Sequence, residues 1–169
     1  METTTKLYTL NYHQVRTYAF AVLFAVGNIA LPPLFHLVPD GGLVWLPIYF
    51  FTLIAAYKYG LNVGLLTAIL SPLANSLLFG MPAAEILPVI LTKSALLAVV
   101  AAYASQFARK ISLPVILAVV ITAQFLGMLT EWVLLRDFFA ALQKIQIAVP
   151  GLLLQIFGGY WVLRAMRNL

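Results

Sequence analysis

Six long apolar segments, separated by short polar or Gly/Pro-containing breaks, constrain this chain more than any other feature. A helix that crosses a bilayer needs about 20 mainly apolar residues, and segments of roughly this length lie at 15–35, 43–59, 61–79, 85–107, 112–135 and 147–166. Only 9% of the 169 residues are charged, whereas soluble domains carry about 25%. The sequence therefore predicts an all-α, polytopic membrane protein, in which residues 1–169 form a single bundle of six transmembrane helices.

Basic residues are distributed unevenly between the two sides of these predicted spans. With six spans both termini share one side, and seven basic residues fall there: Lys6, Arg16, Lys58, Arg109, Lys110, Arg164 and Arg167. The opposite side has two, Arg136 and Lys144. Cytoplasmic loops carry an excess of Lys and Arg, so we predict that both termini are cytoplasmic. Because topology explains the net charge of +5, no nucleic-acid partner is predicted.

Sequence motifs that would indicate an enzyme are missing. The chain has no HExxH, GxSxG or Walker A motif, and it has no cysteine for a disulfide or a thiolate metal site. The first 16 residues lack the apolar core and cleavage site of a signal peptide. We therefore predict no enzymatic activity, no cofactor and no metal, and any transport would need energy from a partner protein.

Polar side chains within the predicted spans lie at a similar depth, toward the outer side of the membrane. They come from five spans and comprise Asn28, His36, Asn75, Lys93, Glu131 and Gln155, with Gln124 nearer mid-depth. Spacings of three and four residues place Gln124, Gly127 and Glu131 on one helical face. An ionisable side chain in a membrane span is costly and indicates a functional site by default.

We predict that Lys93 binds a ligand in a pocket shared with Glu131, Asn75 and Gln155. A lysine and a carboxylate at similar depth suit a small anionic or zwitterionic molecule. Asn28, His36 and Gln124 are further candidates for this site, and two tryptophans near the outer ends, Trp45 and Trp132, are expected to cover a ring of the ligand.

Plainer interpretations of these residues are open. Lys93 could extend to the outer interface, or pair with Glu131 only as an internal fastener. His36, Trp45 and Trp132 fit equally well as residues of the membrane–water interface, where aromatic side chains are enriched.

Three sequence features carry a resemblance to a known family. The first is AVLFA in the first span, which places Ala21 and Ala25 in an Ala-x-x-x-Ala pattern. The second is the region from LPIYFF to SLLFGMP, which has a tight turn at 58–60. The third is Gly-Met-Pro after the third span, which is followed by LPVILTKSA. In these features the chain resembles the substrate-binding S components of energy-coupling factor (ECF) transporters. In that family, the alanine pattern packs on a transmembrane coupling subunit.

The resemblance implies a subunit of an ECF-type ABC importer in the cytoplasmic membrane of a prokaryote. It further implies that a vitamin or vitamin-like molecule binds in the outer half, under the loop between spans one and two. The implied partners are one coupling subunit and two cytoplasmic ATPase subunits. Many members carry a glutamate where Lys93 stands, so the resemblance leaves the substrate open. The alternative is a structural protein of the MreD type from cell-shape assembly, which needs no pocket, and a membrane enzyme is a third option.

Overall fold

The structure is a computed structural model that describes residues 7–35, 44–45 and 47–166. Within these residues all regular elements are helical: α1 (Val15–Phe35), α2 (Pro47–Tyr59), α3 (Leu61–Phe79), α4 (Leu87–Ala108), α5 (Leu113–Leu135), α6 (Phe138–Ile147) and α7 (Val149–Ala165). Helix α7 contains a π-helical segment, Leu154–Gly158. The predicted all-α fold is confirmed.

Three of these helices, α3, α4 and α5, are long and apolar enough to cross a membrane, with 19, 22 and 23 residues. Helices α6 and α7 meet at a bend of 58° and together make a fourth candidate, either a broken span or a re-entrant pair. The apolar part of α1, Val15–Leu31, is shorter than these spans. The described part of the chain thus contains three or four candidate spans, and the arrangement of six stays a prediction.

Large apolar side chains cover the outside of the long helices. Leu77 of α3, Phe107 of α4 and Val133 of α5 expose 85%, 86% and 70% of their surface. Soluble monomers rarely expose contiguous apolar patches of this kind, whereas in a bilayer the same side chains contact lipid tails. The surface is that of a membrane protein.

Helix α2 lies at the centre of the bundle. It is buried continuously from Thr52 to Tyr59, and it contacts α1, α3, α4 and α7. Its contact with α3 depends on Gly64, where a Cβ would come within 2.8 Å of Ala56 Cα. Small residues allow membrane helices to approach this closely, so Gly64 sets the distance between α2 and α3.

The N-terminal segment packs against the end of α2. The backbone N–H of Tyr8 donates to the carbonyl of Lys58 at 2.9 Å, and that of Leu10 donates to the carbonyl of Tyr59 at 3.2 Å. The Lys58 ammonium lies 5.4 Å from the centre of the Tyr8 ring. Lys58, one of the seven basic residues on the predicted cytoplasmic side, is therefore fully buried rather than solvated.

The π-helical segment of α7 keeps four buried residues on one face. Gly151, Gln155, Gly159 and Leu163 follow each other at intervals of four. Over the 12 steps from Gly151 to Leu163 an unbroken α-helix would turn the last residue about 120° away from the first. A π turn takes up one additional residue and reduces this difference to about 20°. Gln155 therefore faces the bundle together with the glycines on either side of it.

Candidate functional site

Glu131 of α5 is the centre of a buried ion cluster. Its carboxylate accepts a hydrogen bond on each oxygen, Oε2 from the Lys93 ammonium of α4 and Oε1 from the Lys144 ammonium of α6. Glu131 is 3% exposed, Lys93 17% and Lys144 38%. An isolated charge is costly in a low-dielectric interior, and here two ammonium groups compensate one carboxylate. This Lys93–Glu131–Lys144 cluster carries one net positive charge.

A glycine on α5 makes room for the Lys93 side chain. A Cβ at position 127 would lie 3.1 Å from Lys93 Cγ and 3.2 Å from Lys93 Cε, which is tighter than an ordinary carbon contact. Gly127 and Glu131 are one turn apart on the same face of α5. The stem of Lys93 therefore crosses α5 at Gly127 and places its ammonium beside the carboxylate.

Lys144 reaches the cluster from α6, a helix in a segment that the sequence analysis left between two spans. Asp137 caps the start of α6, where its Oδ1 accepts from the Ala140 N–H at 2.9 Å. Ala141 is buried and Phe139 is 80% exposed, so α6 has an inner and an outer face. Lys144 stands three positions after Ala141, which places both on the inner side.

A cavity of about 20 Å³ adjoins Lys93 at the meeting point of four helices, α2, α4, α5 and α7. It is lined by Tyr49, Lys93, Leu97, Val120, Ala123, Gln124, Gly127 and Gln155. An ammonium, two amides and a phenol can all donate hydrogen bonds, and among the described residues Lys93 is the only charged one in the lining. A space of this size holds about one or two water molecules, so it fits one functional group of a ligand. The lining favours an anionic group.

Three of the predicted ligand-binding residues, Lys93, Gln124 and Gln155, thus line one cavity, and Glu131 lies beside it. Their binding role stays a prediction. The sequence analysis left open that Lys93 pairs with Glu131 as an internal fastener, and the structure contains that pair. Across the residues described, no group of three or more His, Asp or Glu side chains could hold a metal ion.

Asn28 holds three helices together instead of lining the cavity. Its Nδ2 donates to Thr52 Oγ1 of α2 and to Ser71 Oγ of α3, each at 3.0 Å. Its Oδ1 accepts from the backbone N–H of Phe51 at 3.0 Å. Both N–H groups and the oxygen of this buried amide thus have partners within the protein. Its partners in the structure are α2 and α3, and its role in ligand binding stays a prediction.

Asn75 completes the same network on α3. Its Nδ2 donates to the carbonyl of Asn28 at 3.3 Å and to the carbonyl of Ser71 at 3.0 Å. The residue four positions after Asn28 is Pro32, which has no N–H to give the Asn28 carbonyl its usual helical partner. Asn75 supplies the missing donor and is not among the residues that line the cavity. Its own Oδ1 is buried without a hydrogen-bond partner among the described residues, and its predicted place in the Lys93 pocket stays a prediction.

The two predicted aromatic residues lie apart from the cavity lining. Trp132 is 44% exposed, and its ring meets the edge of Phe138 at 5.4 Å, so it faces outward. The backbone of Trp45 packs on α7 so closely that a Cβ at Gly151 would come within 2.6 Å of the Trp45 carbonyl oxygen. Neither tryptophan is among the residues that line the cavity, and their role in covering a ring of the ligand stays a prediction. His36 lies outside the described residues.

The alanine pattern of α1 is part of the core. Ala21 is 0% and Ala25 5% exposed, and the Thr67 hydroxyl of α3 approaches the Ala21 carbonyl at 3.5 Å. The side chains of α1 that face outward are larger, among them Val22 and Leu23. Ala21 and Ala25 are therefore buried within the described bundle, with the Ala21 carbonyl beside α3, and their contact with a coupling subunit stays a prediction.

Compared with models of protein families, with curated proteins and with solved structures, the chain matches none of them. The likeness to ECF S components accordingly stays a prediction that rests on the sequence features described above.

Two residues of the site were missed by the sequence analysis, Tyr49 and Lys144. Tyr49 stands four residues after Trp45, a spacing that puts both on one face of a helix. Lys144 stands in a stretch whose apolar residues recur every three or four positions, at Phe138, Ala141 and Leu142, a pattern typical of an amphipathic helix. These two spacings are the signals that could have found them.

Proposed function

We propose that the chain is the substrate-binding subunit of an ECF-type ABC importer. It has six membrane spans with both termini in the cytoplasm of a prokaryotic cell. It binds a small anionic or zwitterionic molecule of the vitamin class from the outside. A separate coupling subunit and two ATPase subunits then deliver the molecule inward.

The observation that carries this proposal is the convergence of polar groups on one cavity. Lys93, Gln124 and Gln155 come from three different helices and meet Tyr49 from a fourth. Placing polar groups inside a membrane bundle costs stability, and a purely structural protein has no need to direct several of them at a cavity. A recognition site accounts for the arrangement.

Each polar group has a role in such a site. Lys93 attracts a negative group of the ligand, and Gln124 and Gln155 offer donors and acceptors from opposite helices. The cavity of about 20 Å³ fits one functional group, so a vitamin-sized ligand requires the helices to separate further. We expect ligand binding to change the packing of α7 against α4 and α5.

Native mass spectrometry of the purified protein tests the proposal. We expect a co-purified small molecule on the wild-type chain, loss of that molecule from Lys93→Met, and its retention on Lys110→Met, a control at an exposed lysine. Uptake of the identified molecule should require the coupling and ATPase subunits. A protein that carries no small molecule, and whose loss alters cell shape, would instead support the structural alternative.

The proposed orientation is tested by thiol labelling, because the chain contains no cysteine. Gln143 of α6 and Lys110, between α4 and α5, are both exposed. An impermeant thiol reagent on whole cells should label Gln143→Cys and spare Lys110→Cys. The reverse pattern would overturn cytoplasmic termini and an outward-facing site.

A further inference from the structure

The charge of the ion cluster depends on Lys144, although Lys144 does not line the cavity. Without it, Lys93 and Glu131 would be one lysine and one carboxylate, which neutralise each other. With it, Glu131 has a second cation on its other oxygen, and the cluster keeps one positive charge beside the cavity.

We propose that Lys144 acts as a positioning residue that frees Lys93 to bind a single carboxylate group of the ligand. The inference rests on the proposed function and deepens it, because it names both the chemical class of the ligand and the residue that determines it. In the empty protein Glu131 is shared by the two lysines. When a carboxylate enters the cavity, it takes the place of Glu131 at Lys93, and Glu131 stays paired with Lys144.

The exchange keeps all charges compensated. Two ammonium groups then face two carboxylates, one from Glu131 and one from the ligand, and no charge in the apolar interior is left unpaired. Lys93 is placed for this exchange because it belongs to both the cluster and the cavity lining. Lys144 is more exposed, at 38%, and it approaches Glu131 from the surface helix α6.

The same charge balance determines the ligand class. A neutral group leaves the cluster with the net positive charge of the empty protein and gains no ion pair with Lys93, and a dianion brings one negative charge too many. The other described residues of the lining are uncharged and cannot correct either case. A monocarboxylate satisfies the site, and uncharged parts of the same ligand can bind at Gln124, Gln155 and Tyr49.

Formate and formamide provide a matched pair of probes, because they have the same size and differ in charge. Formate also suits the small volume of the cavity. We expect formate to raise the melting temperature of the purified wild-type protein in a saturable way, from which a dissociation constant follows, and formamide to have no such effect. Absence of a formate response in the wild-type protein would overturn the proposal.

Variants of the cluster separate the role of Lys144 from that of a simple fastener. Lys144→Met should weaken formate binding by about 5- to 150-fold, the usual range of coupling between linked sites, whereas Lys144→Arg keeps the charge and should bind formate as the wild type does. Gln143→Met, at the neighbouring exposed position of α6, is the control. Unchanged formate binding in Lys144→Met would contradict the proposal.

A second pair of variants covers the case in which Lys144→Met does not fold. Glu131→Gln removes the carboxylate that competes for Lys93, so this variant should bind formate at least as well as the wild type. Adding Lys144→Met to Glu131→Gln should then change nothing further, because Lys144 acts only through Glu131. A weaker affinity of the double variant would mean that Lys144 contacts the ligand directly, which contradicts a positioning role.

Failure of this inference can be told apart from failure of the proposed function. If the protein carries a co-purified ligand but does not bind formate, only the charge mechanism is refuted. If it binds formate with the expected dependence on Lys144, but neither carries nor imports a vitamin-like molecule, the charge mechanism is supported and the importer role is refuted.

Discussion

Replacing Lys93 by methionine gives the sharpest test of whether this residue recognises a ligand or only fastens α4 to α5. Methionine keeps the unbranched apolar stem that crosses Gly127 and removes the ammonium group. Wild-type Lys93 is 17% exposed and bonded to Glu131, so the substitution removes one charged hydrogen bond and leaves the packing at Gly127 nearly unchanged.

The cost in stability should be limited, because Glu131 keeps its second partner. Leaving a buried charge fully unpaired costs about 3–5 kcal/mol, but Lys144 still binds Oε1 of Glu131 in the variant. The loss of one hydrogen bond to a charged group is about 1.5–3 kcal/mol. We expect the free energy of unfolding of the empty protein to fall by this smaller amount.

The cost in affinity should be larger. Removing one member of a desolvated charge pair between protein and ligand costs about 2–5 kcal/mol, which corresponds to about 30- to 5,000-fold in the dissociation constant. Isothermal titration with the co-purified ligand measures this loss, and melting curves of the empty proteins measure the change in stability. Lys110→Met, at an exposed position, should alter neither quantity.

The opposite combination would refute the recognition role. If Lys93→Met melts at a lower temperature but binds the ligand with wild-type affinity, Lys93 serves only to pair with Glu131. In that case the polar lining of the cavity would have to bind the ligand without any charged group.

Three further substitutions follow from contacts of single residues. Gly127→Ala should push the Lys93 stem aside, since the new Cβ would lie 3.1 Å from Lys93 Cγ. We expect ligand affinity to fall in a titration, while the gain in helix propensity, about 1 kcal/mol, keeps the melting temperature close to that of the wild type. Wild-type affinity of this variant would contradict the placement of Lys93. Asn28→Leu should destabilise the fold by about 1–3 kcal/mol for each buried group left without a partner, Phe51 N–H among the candidates, and should spare ligand affinity in the folded protein. Lost affinity at unchanged stability would show that Asn28 binds the ligand. Gly64→Ala should cost about 1–3 kcal/mol of stability through overpacking against α2, and a melting curve equal to that of the wild type would show that the two helices can separate without cost.

Hydrophobicity predicted the all-helical fold but not the helix α6 (Phe138–Ile147), and the nature of each helix contact required the structure. Polar residues in apolar segments have one sequence signature for two roles, ligand binding and helix fastening. Gln124 and Asn75 illustrate this ambiguity: Gln124 lines the cavity, whereas Asn75 replaces a hydrogen bond that Pro32 cannot make. The difference lies in what each side chain meets across the helix interface, and no spacing within one helix contains that information.

Small residues have the same ambiguity. Ala21 and Ala25 were predicted to contact a partner protein, and the structure places them against another helix of the same chain. An alanine pair indicates close approach of a second helix without saying to which chain that helix belongs. The position of Lys144 was missed for a different reason, because it depends on how α6 folds back toward α5 after Arg136.

The π-helical turn of α7 gives this helix one residue more than the packing of its two ends requires. A chain shortened by one residue between Leu154 and Gly158 could form an uninterrupted α-helix with regular hydrogen bonds, which should be the more stable helix in isolation. Gly151, Gly159 and Leu163 would keep their faces in that shorter chain, because the π turn takes up one additional residue, and Gly159 would stay against Leu53. The deletion would instead change the local backbone around Gln155, which lies within the π segment and lines the cavity. A selection for heat resistance alone should therefore favour the shorter helix at the expense of the geometry around Gln155.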